Sequence, residues 1–223
     1  MCLIVLAWRA HPDFPLVVAA NRDEFHARPA DPAAFWTDHP GILAGRDLEA
    51  RGTWMGVSRG GRFAAVTNYR GAREPRAIES RGALVTRFSA GVFFSGDFMK
   101  KINGRPIQRL QSPRRRRQGS CGGCRIATAR RASSEPGVYG LGNLLLESPE
   151  VEPAKERFRS AIDPAPAVEP LFSVLAASKI LNPEYGTRCS TVMLRASDGA
   201  IRYAERTFDA AGADGETRQF EFR

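Results

Sequence analysis

The chain has no apolar run long enough to span a membrane. Leu3–Ala7 is apolar but too short for the core of a signal peptide, and no basic residue precedes it. A cytoplasmic location is therefore expected. Cysteine is scarce, four residues in 223, which argues against a disulfide framework and predicts free thiols. Cys121 and Cys124 have the spacing of a redox or zinc pair, but no second Cys/His pair and no βαβ pattern accompanies them. No metal site is expected. Histidine is scarcer still, and the three residues His11, His26 and His39 read as surface or loop positions. Acidic residues are missing from 107–134, where eight arginines lie. Without those eight the net charge of +9 falls to +1, so the rest of the chain has no basic bias calling for a nucleic-acid partner.

What is there is ordinary for a globular protein: 43% hydrophobic and 26% charged residues. The length fits one domain over 1–223. Cys2–Trp8 and Leu16–Ala20 are β-rich apolar runs joined by a Pro/Asp turn, which predicts a hairpin. Phe25–Arg51, rich in Pro, Asp and Ala, reads as an ordered loop. Thr53–Ser58 and Arg62–Asn68 flank Arg59-Gly60-Gly61, a second hairpin signal. Ser80–Phe88 has the spacing of a short helix. Val138–Leu146 resembles a strand, and Pro153–Ile162 and Pro170–Ile180 have helical spacing. Thr191–Ala196 and Ala200–Glu205 flank Ser197-Asp198-Gly199, a third hairpin. Strands first and last with helices between predict an α+β domain with largely antiparallel sheets.

The chemistry-bearing feature is the start of the chain. Cys2 is small enough for Met1 to be trimmed, which would leave one residue with both a thiol and a free α-amine. Their reference pKa values are roughly 8.5 and 7.7–8.0. A nucleophile beside its own base is a known device for acyl transfer. A Cys at the start of a strand is also commonly a small hydrophobe. Twenty residues on stands Asn21-Arg22-Asp23-Glu24.

Met1-Cys2, Ala20–Glu24, Val66–Arg70, Gly137–Asn143 and Tyr185–Thr191 together resemble the NRDE family, that of transport and Golgi organisation protein 2. The resemblance covers 1–106 and 135–223 and implies an N-terminal-nucleophile hydrolase-like fold, a four-layer αββα sandwich. More distantly the blocks are similar to penicillin V acylases and bile-salt hydrolases. Carried over by position, Cys2 falls on the nucleophile and Asp23 on the carboxylate beside the α-amine. Asn68 and Asn143 fall on the Asn positions near the oxyanion and the amine, and Arg188 on the Arg supporting the nucleophile. The acylases carry an Arg where this chain has Ala20; Arg22 is the nearby cation and a candidate substrate-binding residue. The implied reaction is hydrolysis of a small amide or acyl compound, with no cofactor. The alternative implied by the relatives is a carrier of haem, acyl-CoA or lipid tied to haem trafficking or Golgi organisation. Singly, these residues also suit ordinary turns and ion pairs.

Residues 107–134 have no apolar periodicity. Relatives carry strand motifs there, roughly YNGFNLLVGD and LWWLSNRDGAPR. Permissible codons for Ile107–Arg117, shifted by one base, encode the first, and those for Ser120–Arg131 encode most of the second. The expectation is that this segment is read out of frame or is disordered.

Overall fold

The fold is described from a computed structural model, which describes residues 2–67, 80–91, 125–128, 135–143 and 149–223. Strands β1 (Leu3–Trp8) and β2 (Leu16–Phe25) form the expected hairpin, with Leu3 opposite Asn21 and Trp8 opposite Leu16. They lie inside a six-stranded antiparallel sheet. Its other members are β8 (Gly137–Leu141), β9 (Tyr185–Arg195), β10 (Ile201–Phe208) and β11 (Asp214–Phe222), in the order β11-β10-β9-β2-β1-β8. The second sheet is β3 (Ala30–Phe35), β4 (Ile42–Asp47), β5 (Met55–Ser58), β6 (Phe63–Thr67) and β7 (Arg125–Thr128), paired in chain order.

The reason β1 and β2 read as unbroken apolar runs is that both of their faces are covered. Leu3, Val5, Ala7, Val17 and Ala19 join a core with Phe158, Leu171 and Leu175. Those last three come from α2 (Glu152–Ile162) and α3 (Val168–Ala176). Ile4, Leu16, Val18 and Ala20 face the other way, onto Leu43, Met55, Val57, Phe63 and Ala65 of the second sheet. Helix α1 (Arg81–Ser89) packs on β4, β5 and β6 with Leu84, Val85 and Phe88, none of which joins the inter-sheet core. Its start is fixed by Ser80, whose hydroxyl accepts from the Ala83 N–H. The order of layers is thus α2/α3, six-stranded sheet, five-stranded sheet, α1: an αββα sandwich, as the resemblance implies.

Two sequence expectations change, and one strand was not foreseen. Phe25–Arg51 is not a loop; it holds β3 and β4. Pro32 and Asp31 are tolerated because β3 is an edge strand with an irregular register between Asp31 and Ala34. Strand β2 runs past Ala20 to Phe25, because Asn21, Arg22 and Asp23 are buried polar residues rather than a polar terminus. Strand β11 has no apolar run to announce it: it is a largely exposed edge that follows β10 through a hairpin. The segment 107–134 lies outside the described residues except for 125–128, which pair with β6.

Candidate functional site

The site lies between the sheets, at the end where β1 begins. Side-chain parity decides what faces it. Even-numbered residues of β1 point toward the second sheet, and Cys2 shares that parity one step before the strand. Cys2 is 8% exposed. Its thiol donates to the Asp23 carbonyl at 3.3 Å and accepts from the Asp23 N–H at 3.4 Å. Burial, followed by the Asp23 charge, pushes the thiol up to about 11. With Met1 in place Cys2 is therefore a neutral thiol at pH 7.

Asp23 is fully buried at an irregularity in the pairing of β2 with β9. Its Oδ1 accepts from the Thr187 hydroxyl at 2.7 Å, and that hydroxyl in turn accepts from the Ile180 N–H. The Asp23 carbonyl also accepts from the Tyr185 hydroxyl. The carboxylate is thereby held rigid next to the first residues of the chain.

Asn143 is buried two residues past Leu141, whose strand partner is Ile4, so it sits at the Cys2 end of the sheet. The Thr67 hydroxyl donates to the neighbouring Gly142 carbonyl at 3.0 Å, joining β6 to this loop across the two sheets. Asn68 follows Thr67 and lies outside the described residues.

Arg188 takes a different place from the other candidates. Its Nη1 donates to the carbonyls of Phe25, His26 and Arg28 at 2.9, 3.2 and 3.0 Å. It fastens the turn between β2 and β3 instead of touching Cys2 in this structure. Burial, with Arg22 nearby, lowers its pKa.

Arg22 faces the inter-sheet layer. Its guanidinium lies over the Trp54 ring, 4.0 Å from the centroid, and its Nη2 is 3.7 Å from Asp47 Oδ2. Cys2, Arg22, Trp54, Met55, Thr67 and Thr191 contribute to the lining of one small cavity of ≈ 20 Å³, room for a water. Chemically the cavity sets a thiol and a cation in a mainly apolar wall that also holds the hydroxyls of Thr67 and Thr191.

Several parts escaped the sequence reading. Trp54 and Glu205 carry no motif, and Thr187 stands in the Tyr185–Thr191 block without having been assigned a role. Glu205 had one signal: Ile201, Tyr203 and Glu205 share a strand face, so a carboxylate falls where the pattern calls for a core residue. It is buried, accepting from the Ala33 N–H at 2.6 Å and the Thr191 hydroxyl at 3.3 Å. Burial raises its pKa. Cys189 stands beside Arg22 across β2 and β9 and is likewise buried, its thiol pushed well above the ordinary value by desolvation. Among the described residues no cluster of His, Cys, Asp and Glu could hold a metal ion, and no helix is long and apolar enough to cross a membrane.

A four-layer αββα sandwich with a buried thiol at the head of an inner strand defines the class of architecture. Within it, the chain belongs to the Transport and Golgi organisation 2 family, whose model matches residues 1–183. It is 32% identical to the Transport and Golgi organization protein 2 homolog of Bos taurus, over all of this chain and 99% of the relative. The Homo sapiens homolog is 30% identical over the same shares. The Drosophila melanogaster protein is 33% identical over 40% of this chain and 34% of its own length. The bovine alignment runs over 275 positions, more than this chain's 223 residues, so the relative carries stretches that this chain lacks.

Proposed function

We propose that this protein is an N-terminal cysteine amidohydrolase acting on a small non-peptide amide or related acyl compound. The observation that carries the reading is the place of Cys2. It sits at the very start of an inner strand, hydrogen-bonded to the backbone of Asp23 and lining the same cavity as Arg22 and Thr67.

Removal of Met1 puts the α-amine on Cys2 itself. The amine takes the thiol proton and the sulfur attacks the carbonyl carbon, forming a tetrahedral oxyanion. Asn68 and Asn143 donate to that oxyanion or orient the amine, an interaction worth about 3 kcal/mol per donor in comparable sites. Asp23 orients the ammonium. The C–N bond then breaks, the leaving amine departs with the proton, and a thioester remains. Water, deprotonated by the same α-amine, hydrolyses it and restores the thiol. Arg188 acts at a distance, fixing the turn after β2 and adding positive potential. Arg22 meets the substrate. The chemistry calls for no cofactor.

The test combines mass spectrometry of the amino terminus with turnover of a panel of small N-acyl amines. Loss of Met1 and release of amine by the native sequence but not by Cys2→Ala is the expected result. Retained Met1, or no turnover by a folded and trimmed chain, defeats the reading. A second reading draws on the relatives' names, which speak of transport and Golgi organisation. In it the same cleft holds haem, acyl-CoA or a lipid without chemistry, and saturable titration by one of them in the absence of turnover would favour it. A cytoplasmic location suits either reading.

We also read residues 107–134 as out of frame. That removes the arginine run and Cys121/Cys124 from functional consideration.

A further inference from the structure

Arg22 is a nearly buried cation that lines a cavity and has little protein to pair with. Its side chain is 6% exposed, and its single ion pair is loose, at 3.7 Å from Asp47 Oδ2. That carboxylate is already engaged. Oδ2 accepts from Arg28 Nε at 2.6 Å, and Oδ1 accepts from the N–H groups of Glu49 and Ala50. Glu205, a buried acid near Arg22, is held by Ala33 and Thr191. Among the described residues the Arg22 guanidinium makes no hydrogen bond; its partners are the distant Asp47, the Trp54 face and the nearby charge of Glu205. A buried guanidinium has five N–H donors, and leaving them unmatched is costly. The cavity on which it opens also holds Cys2.

Geometry selects the anion. With Trp54 covering its carbon at 4.0 Å from the ring centroid, the guanidinium keeps its N–H groups for acceptors, which bind best in its plane. A carboxylate presents two oxygens in one plane and fits that fork. A tetrahedral phosphate would push further oxygens into the apolar wall of Ile4, Ala20 and Met55. The cavity has room for a water, so the ligand must enlarge it on binding.

We infer that Arg22 and Trp54 form the anion-recognition end of the site, and that the ligand is an acyl amide bearing a carboxylate a few bonds from the carbonyl facing Cys2. The placing of the amide rests on the amidohydrolase reading; the carboxylate at Arg22 does not.

The test uses the full chain carrying Cys2→Ala, so that turnover does not intervene. Binding of three probes is followed by NMR titration: glutaramate, its neutral diamide glutaramide, and 4-phosphonobutanamide. Glutaramate is expected to bind about tenfold or more tightly than either of the others, the scale of a charge-assisted contact. Arg22→Gln should abolish that preference, and Arg22→Lys, which lacks the fork, should restore only part of it. Equal affinity for glutaramate and glutaramide overturns the inference, as does preference for the phosphonate, absence of glutaramate binding, or a preference that survives Arg22→Gln. Should the Arg22 variants not fold, the ranking of the three probes decides alone. Selective glutaramate binding without turnover by the Cys2 protein keeps the inference and removes the hydrolase. Turnover indifferent to substrate charge does the reverse.

Discussion

Cys2 is the residue on which the proposed chemistry turns, and its environment makes a measurable statement. A thiol raised to about 11 holds its proton in the folded state through a range where the unfolded chain has released it. The folded state then binds more protons than the unfolded one between roughly pH 9 and 11, so stability falls as pH rises through that window. A shift of this size corresponds to about 3 kcal/mol at the alkaline end. Cys189 and Tyr203, raised by the same burial, steepen the loss. Thermal melts of the Met1-retaining chain should therefore show a falling midpoint across this range, with a shallower fall in Cys2→Ser. An identical slope in the two proteins would contradict the burial of an ordinary thiol at this position. The sequence made Cys2, Asp23 and Asn143 legible because they stand in recognisable blocks. It hid Trp54 altogether, and for Thr187, which stands in the Tyr185–Thr191 block, it hid the role: distant strands bring an indole onto Arg22 and a hydroxyl onto Asp23. Arg188 was legible as a residue, but its contacts with three turn carbonyls were not.

At the scale of elements, close approach of backbones sets the geometry. The start of α1 meets the loop before β5 so tightly that a Cβ on Gly52 would lie 2.4 Å from the Gly82 carbonyl carbon and 2.7 Å from Ala83 N. Neither neighbour is a side-chain tip able to swing aside. Gly52→Ala is expected to lift α1 from the second sheet and cost about 1–3 kcal/mol, the scale of overpacking. Differential scanning calorimetry checks it; an unchanged melting temperature would contradict the contact. Hairpins were the best-read elements, since Gly60-Gly61 and Asp198-Gly199 mark turns by their own chemistry. Strands β3 and β11 were not, because edge strands need fewer apolar residues and carry proline, aspartate or alternating charge. The Cys2–Trp8 and Leu16–Ala20 runs announced β1 and β2 because both faces are buried.

For the whole molecule, the two sheets act as jaws. Glu205 of β10 ties to the Ala33 N–H of β3, and Thr67 of β6 ties to Gly142 after β8, so polar bonds bridge the layers at separate places. The inter-sheet core supplies the remainder. This layered plan was legible once the NRDE-like blocks were placed, since order and spacing of strands are topological facts that composition alone does not carry. The out-of-frame reading of 107–134 belongs to this scale as well. Restoring the motifs YNGFNLLVGD and LWWLSNRDGAPR would, on that reading, add apolar strand surface beyond the short β7. Stability of a domain is only some 5–15 kcal/mol, so that gain should raise the unfolding midpoint by several degrees at least. A restored chain that melts no higher than the present one would count against the reading.

The central claim is that Cys2, freed at its amino terminus, is a nucleophile toward carbonyl carbon. The direct measurement is intact-mass and peptide-mapping analysis of the Met1-trimmed protein after brief exposure to an aryl ester of a small carboxylate-bearing acyl group. The account predicts one acyl group per chain, mapped to Cys2, removed by hydroxylamine and missing in Cys2→Ala. Acylation spread over lysines and other thiols, or undiminished in Cys2→Ala, would contradict it.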